Sequence, residues 1–193
     1  LVSSKTLLLA SASPRRAELL SQIGIPFEVA VPQVDETPQA GETAAAYVVR
    51  IAREKAAAVP ADGRVVLAAD TAVVLDGRIL GKPGSAAEGV AMLESLGGRT
   101  HEVLTAIAVT DGTDMASELV ASRVRFVPVD RRLAEGYWAT GEGRDKAGGY
   151  GIQGIGGILA ENIEGSYSAV VGLPLPETER LLCRFGVDTW RCR

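Results

Sequence analysis

Apolar residues along this chain recur at two periods, and the alternation between them lays out the elements. Residues 6–10 form a short apolar run, broken by Ser11-Ala12-Ser13 and Pro14. Ala17, Leu19, Leu20 and Ile23 then fall at helical spacing until Gly24. Ser13 before Pro14 predicts an N-cap followed by proline at the first helical position, where a missing N–H costs nothing. Residues 27–31 read as a strand ended by Pro32, and 43–59 as a long helix with Tyr47, Val48, Ile51, Ala52 and Lys55 on neighbouring turns. Residues 65–69 and 71–75 are strand-like on either side of Asp70, and Asp76-Gly77 signals a hairpin.

Residues 86–96 predict a helix stopped by Gly97-Gly98, and 102–110 and 117–127 two long strands joined around Asp111-Gly112. Asp130 is positioned to cap a helix reaching Ala139. A glycine-dense tract, 141–157, precedes strand-like runs at 158–163 and 167–171 and a last helix over 175–185. Neither repeat nor linker marks a boundary, so residues 1–193 are expected to form one domain. Helices alternating with strands at both ends, with hairpins between, predict an α/β protein built on a mixed sheet.

Composition narrows the classes. An apolar fraction of 47% excludes disorder, and 22 Gly with 9 Pro exclude a coiled coil. A net charge of −4 gives no broad basic face for a nucleic acid polymer, so any bound polyanion must meet a local cluster of cations. The start, with Lys5, Leu7-Leu8-Leu9 and Ala10-Ser11-Ala12, mimics a secretory signal. Its apolar core is about five residues, below the roughly 7–15 of such signals, and it reads as a buried strand. No run approaches the ~20 apolar residues of a membrane span. Cys183 and Cys192 have no metal-ligand spacing and no matching His, which points to a reducing, cytoplasmic setting.

Five segments carry candidate chemistry. Ser11-Ala12-Ser13-Pro14-Arg15-Arg16 joins a strand to a helix N-terminus, whose free N–H groups suit an anion. Arg15 and Arg16 oppose the helix dipole there, which a bound phosphate would explain and two solvated arginines would also allow. Asp35-Glu36 follows a strand, either as a surface loop or as a source of metal-binding carboxylates. Asp70 interrupts an apolar stretch, where an acid must be paired, hydrogen-bonded, metal-bound or turned out in a hairpin. Lys82 in Gly81-Lys82-Pro83 does not belong to a Walker A loop. Gly149, Gly151 and Gly154 match Gly-x-Gly-x-x-Gly, but Asp145-Lys146 precedes them and strand-like residues follow, which excludes a dinucleotide fold. The tract still suits close backbone approach to a ligand, with Gln153 able to read a base edge. His101, the only histidine, has no nucleophile motif near it and reads as structural.

These segments together resemble the Maf family of nucleoside triphosphate pyrophosphatases. The resemblance covers residues 7–182 and eight segments in order: residues 8–20 (LLASASPRRAELL), Val34-Asp35-Glu36, Arg53-Glu54-Lys55-Ala56, Ala69-Asp70-Thr71, Gly81-Lys82-Pro83, residues 98–103 (GRTHEV), residues 145–154, and GSYSAVVGLP at 165–174. It implies an α/β fold with a mixed, strongly curved sheet flanked by helices and two lobes around a nucleotide cleft, related to inosine triphosphatases. It implies hydrolysis between the α and β phosphates, releasing the monophosphate and pyrophosphate, with Mg²⁺ or Mn²⁺.

By that resemblance Asp70 is the proton acceptor, and Glu36 with Asp70 holds the metal. Ser11, Arg16, Lys55, Lys82 and Lys146 meet the phosphates. Arg15, Thr71 and Gln153 set substrate choice and match the branch acting on dTTP and UTP, with modified pyrimidine triphosphates as further targets. A cytoplasmic homodimer acting on a nucleoside triphosphate is expected. Whether Asp70 is base or metal ligand stays open. So do a nucleotide-binding regulator linked to septum formation and a nucleotidyltransferase. Two departures from the family pattern, Gly97-Gly98 for Ser-Gly and Gly143 for a common Pro, bear on loop rigidity.

Overall fold

The computed structural model describes residues 6–190; Lys5 and Cys192, named above, lie outside the described residues. Among the described residues seven strands and six α-helices form a mixed α/β fold. The strands are β1 (Leu7–Ala10), β2 (Phe27–Val29), β3 (Val65–Leu75), β4 (Arg78–Leu80), β5 (Thr100–Thr110), β6 (Met115–Phe126) and β7 (Ala160–Glu164). The helices are α1 (Pro14–Gln22), α2 (Ala44–Ala57), α3 (Ala86–Leu96), α4 (Arg131–Ala139), α5 (Tyr167–Val171) and α6 (Leu175–Arg184). The sheet order is β2-β1-β3-β5-β6-β7, with β4 paired to β3. β1 runs parallel to β2 and β3, whereas β4 and β7 are antiparallel to their neighbours. The mixed sheet expected from the sequence is therefore present.

The chain divides into two compact units. The first takes the described residues up to Asp70, Thr105–Val120 and the chain from Gly172 onward. Its strand β1 is buried at all four positions, as a parallel strand covered on both faces must be. On α2 the buried positions are Tyr47, Val48, Ile51, Ala52, Lys55 and Ala56, one stripe at helical spacing. Thr43 caps that helix by accepting from the Ala46 amide at 3.2 Å.

The second unit comprises Thr71–Leu104 and Ala121–Val171. Its core includes Val73, Leu93, Leu96, Phe126, Tyr137 and Leu159. Asp130 caps α4 as expected, accepting from the Leu133 amide at 2.8 Å. The Asp76-Gly77 hairpin is also present, with positive φ at both residues as a type I′ turn requires. The 141–157 tract contains a short 3-10 turn at Ala147–Gly149 and leads into another at Ile155–Leu159, but opens no α-helix after Gly154, in keeping with the exclusion of a dinucleotide fold.

Three local expectations change. Residues 65–75 form one uninterrupted strand with Asp70 inside it, since every residue but Thr71 is buried. The strand expected from Ile158 begins only at Ala160, because Ile155–Leu159 coil into a 3-10 turn. Residues 167–171, expected as a strand, form helix α5. The Ser166 hydroxyl accepts from the Ala169 amide at 3.2 Å and the Ser166 carbonyl from Val170, a local capping pattern that overrides the β preference of Tyr167, Val170 and Val171. No helix among the described residues is long and apolar enough to cross a membrane.

His101 is structural. It is 1% exposed, its Nε2 lies 2.8 Å from the Tyr150 hydroxyl, and Phe126 and Tyr150 pack against it edge-on. Burial pushes the imidazole down to about 4 from an ordinary 6.5. The unfolded chain therefore takes up this proton first, so the stability it affects is full above about pH 6.5 and is lost as pH falls towards 4. Thermal melts across that window should show His101→Gln losing stability less steeply than wild type, by up to about 1.4 kcal/mol per pH unit. Parallel curves would mean that another group governs the acid limb.

Candidate active site

Asp70 lies on β3 just past the point where β1 stops pairing. The last register pair is Ala10 with Ala68, so Asp70 stands two residues beyond the carboxyl end of β1, where parallel strands leave a crevice for ligands. The chain leaving β1 turns at once into α1. The Ser11 hydroxyl makes that turn, accepting from the Ser13 amide at 3.1 Å and from Arg16 Nη1 at 3.2 Å. Ser13 occupies the N-cap position, but its side chain makes no cap, contrary to the sequence expectation. Ser11 takes up the Ser13 N–H instead.

Arg16 is 9% exposed and donates through Nε to the Gly172 carbonyl at 2.9 Å. Burial pushes its guanidinium below the ordinary value, and the Asp70 carboxylate works in the opposite direction. Lys55 comes from the last turn of α2, where the helix dipole favours a cation. Its Nζ bonds Asp70 Oδ1 at 2.8 Å and Glu36 Oε1 at 2.9 Å. The Lys55 and Asp70 side chains are 10% and 7% exposed, whereas Glu36 is 49% exposed. Asp70 Oδ2 is buried without a hydrogen-bond partner. Burial raises the Asp70 carboxyl above its usual range, with Lys55 and then Arg16 pulling it back down. Ser11, Arg16, Glu36, Lys55 and Asp70 therefore gather in the first unit, all from stretches the sequence singled out.

The pair Asp35-Glu36 divides its work. Asp35 Oδ1 accepts from the Thr37 amide at 2.9 Å, a turn contact within its own loop. Two residues that sequence reasoning did not assign to the site hold Glu36 in place. Tyr47 donates its hydroxyl to the Glu36 carbonyl at 3.0 Å. Arg50 grips Glu42 through two nitrogens, each at 2.7 Å, and donates to the Thr37 carbonyl at 3.2 Å. The only signal in the sequence was their place on α2, one on the buried stripe and one beside it.

A hard divalent cation fits this donor set. Mg²⁺ takes one or two carboxylates and keeps waters and phosphates as its other ligands. The unpartnered Asp70 Oδ2 and the half-exposed Glu36 carboxylate are of that kind.

The other candidates belong to the second unit, apart from Arg15, half-buried in the first turn of α1. Thr71 follows Asp70 on β3 and so faces the opposite side of the strand. Lys82 is exposed, and the adjacent Gly81 carbonyl accepts from the Gly148 amide at 3.1 Å, which ties its loop to the glycine tract. Lys146 Nζ bonds the Asp145 carboxylate at 2.8 Å and the Glu142 carbonyl. Gln153 is exposed. Both departures from the family pattern lie where backbone approaches backbone. A Cβ at Gly97 would meet the Val129 amide nitrogen at 2.7 Å, and one at Gly143 the Gly149 carbonyl oxygen at 1.9 Å.

The Maf-like protein family model matches residues 6–185. A protein of Alcanivorax borkumensis named dTTP/UTP pyrophosphatase is 52% identical over 96% of this chain and 98% of its own. Proteins of the same name from Methylobacillus flagellatus and Salmonella typhimurium are 53% and 52% identical, over 96% and 93% of this chain and 96% and 93% of theirs. The solved structure of a HAM1 protein from Coxiella burnetii overlaps 63% of this chain and 73% of its own at a TM-score of 0.44 and 21% identity, too distant to carry an assignment.

Replacing Lys55 by Met should leave Asp70 buried without its partner and cost about 3 kcal/mol in urea denaturation. The double variant Lys55→Met/Asp70→Asn should lose less than Lys55→Met alone, because no buried charge is then uncompensated. Equal losses would show that the ion pair is not what fails.

Proposed function

Starting from a chain that belongs to the Maf-like protein family, we propose that it is a dTTP/UTP pyrophosphatase, cleaving between the α and β phosphates. The observation that carries the reading is Asp70, buried, bonded through one oxygen to Lys55 and with the other oxygen unpartnered. A carboxylate so placed has an oxygen whose lone pairs can accept a proton and share in holding a cation. In the proposed reaction a water oxygen bonds to the α phosphorus, its proton passes to Asp70 Oδ2, and the bond from that phosphorus to the β-phosphate oxygen breaks. The products are the nucleoside monophosphate and pyrophosphate. Burial supports the role of base by raising the affinity of Asp70 for a proton.

Glu36 and Asp70 are the residues that would hold a divalent cation, Mg²⁺ or Mn²⁺. Such an ion would make its bound water more acidic and neutralise phosphate charge. Arg16, Ser11 and the start of α1 provide fixed positive charge and donors for phosphate oxygens. Lys55 keeps Glu36 and Asp70 from repelling one another and adds a cation beside the phosphates. The phosphate roles of Lys82 and Lys146, and the base-reading roles of Arg15, Thr71 and Gln153, rest on the family likeness. A uracil or thymine edge offers carbonyl acceptors and one N–H donor, which an amide and a hydroxyl can match.

We take residues 1–193 as one functional domain, a reading supported by the interleaving of the two units along the chain. A homodimer in the cytoplasm that removes surplus or modified pyrimidine triphosphates completes the proposal.

Pyrophosphate release from a nucleotide panel with Mg²⁺ or Mn²⁺ tests it. Asp70→Asn should bind dTTP and UTP and turn them over at least ~10²-fold more slowly. Turnover retained in that variant removes Asp70 from the role of base. Thr71→Gln combined with Gln153→Glu should erode the preference for dTTP and UTP over other triphosphates. An unchanged ranking would mean these side chains do not read the base.

A further inference from the structure

The 141–157 tract holds eight glycines and ought by composition to be loose, yet one carboxylate ties it together. Glu142 Oε1 accepts from the Tyr137 hydroxyl and from the Gly156 amide, both at 2.9 Å. Glu142 Oε2 accepts from the Ile155 amide at 2.8 Å. The Tyr137 oxygen in turn accepts from the Gly151 amide at 3.0 Å. The backbone is thus pinned two residues before Gln153 and two residues after it, and Gln153 itself points outward, exposed.

The glycines make this closure possible. A Cβ at Gly154 would meet Glu142 Oε2 at 2.2 Å, and one at Gly156 would meet the Gly151 carbonyl oxygen at 2.5 Å and the Tyr137 hydroxyl at 2.9 Å. They let the loop wrap a carboxylate. Burial pushes the Glu142 carboxyl up, but the Gly156 and Ile155 amides, Tyr137 and Lys146 outweigh it and hold it below its ordinary value. Three donors converge on an acceptor-only group, which an amide cannot replace without turning its own NH₂ against an N–H. Tyr137, whose phenol burial keeps protonated, supplies the third donor.

We infer that Glu142, through Tyr137 and the Gly151, Ile155 and Gly156 amides, is a positioning residue that fixes Gln153 for base selection. The inference rests on the proposed reading of Gln153 as a base reader. Lys146 bonds the Glu142 main-chain carbonyl, so a side-chain change at 142 leaves that anchor in place.

The test is a comparison of kcat/KM for UTP and CTP in wild type, Glu142→Gln, Gln153→Ala and the double variant. Gln153→Ala and Glu142→Gln should each lower the preference for UTP about tenfold, the order of one lost hydrogen bond. The double variant should lose no more than Gln153→Ala alone, since both changes remove one contact. Amide exchange at Gly151, Ile155 and Gly156 should quicken in Glu142→Gln. Should Glu142→Gln not fold, Tyr137→Phe cuts the link to Gly151 and carries the same expectation. If Gln153→Ala flattens the preference while Glu142→Gln leaves it intact, or slows UTP and CTP equally, the positioning role is overturned and the base-reader reading stands. If Gln153→Ala leaves the preference unchanged, the base-reader reading fails and the inference falls with it.

Discussion

A single buried lysine decides whether an aspartate can stand inside this sheet. Asp70 sits in the middle of an otherwise apolar strand, where an isolated carboxylate would give up its charge by binding a proton. Lys55 reaches it from the buried stripe of α2, and Arg16 adds a second positive charge. Burial still prevails over both, and the carboxyl stays above its usual range. Such a pair is a poor way to stabilise a fold, since well-packed apolar residues would serve as well or better. Its presence is understood through the free oxygen of Asp70, which no structural role uses.

Two of the irregular segments that carry candidate residues are fastened in the same manner. The loop bearing Glu36 is held to α2 by Arg50, which grips Glu42 and the Thr37 carbonyl, and by Tyr47 at the Glu36 carbonyl itself. The glycine tract is held by Glu142 and Tyr137. In each case a tyrosine anchored on a helix supplies a hydroxyl to a loop that secondary structure does not restrain. Charged side chains that look like ordinary surface groups in the sequence are what make these loops rigid.

That difference marks where the sequence was readable. Burial is written in periodicity, so the elements α2 to α4, the hairpin at Asp76-Gly77 and the anomaly of Asp70 among apolar neighbours could all be read. Lys55 on an apolar stripe was a further sign. The helix at Tyr167–Val171 was hidden because β-branched and aromatic residues outweighed a short serine cap. Ser13 looked like the cap of α1, while Ser11 takes the N–H that matters. Glu142 and Arg50 left no trace in the pattern, because a polar residue in or beside a loop looks the same whether it meets water or a neighbouring amide. Periodicity reports which side of an element faces inward and is silent on which loop atoms meet.

The interleaving of the two units has a consequence for how the protein is made. The second unit has all of its chain once Val171 is synthesised, whereas the first, which begins earlier, waits for Gly172 and the buried Leu173, Leu181 and Leu182. At roughly 5–20 residues per second, the nascent strand bearing Asp70 spends several seconds outside a finished core. During biosynthesis the first unit, which carries Asp70, is therefore the last to close. A ribosome that stalls late in the message leaves a chain in which Arg16 has no Gly172 carbonyl to hold, and the half that begins first is the one left open.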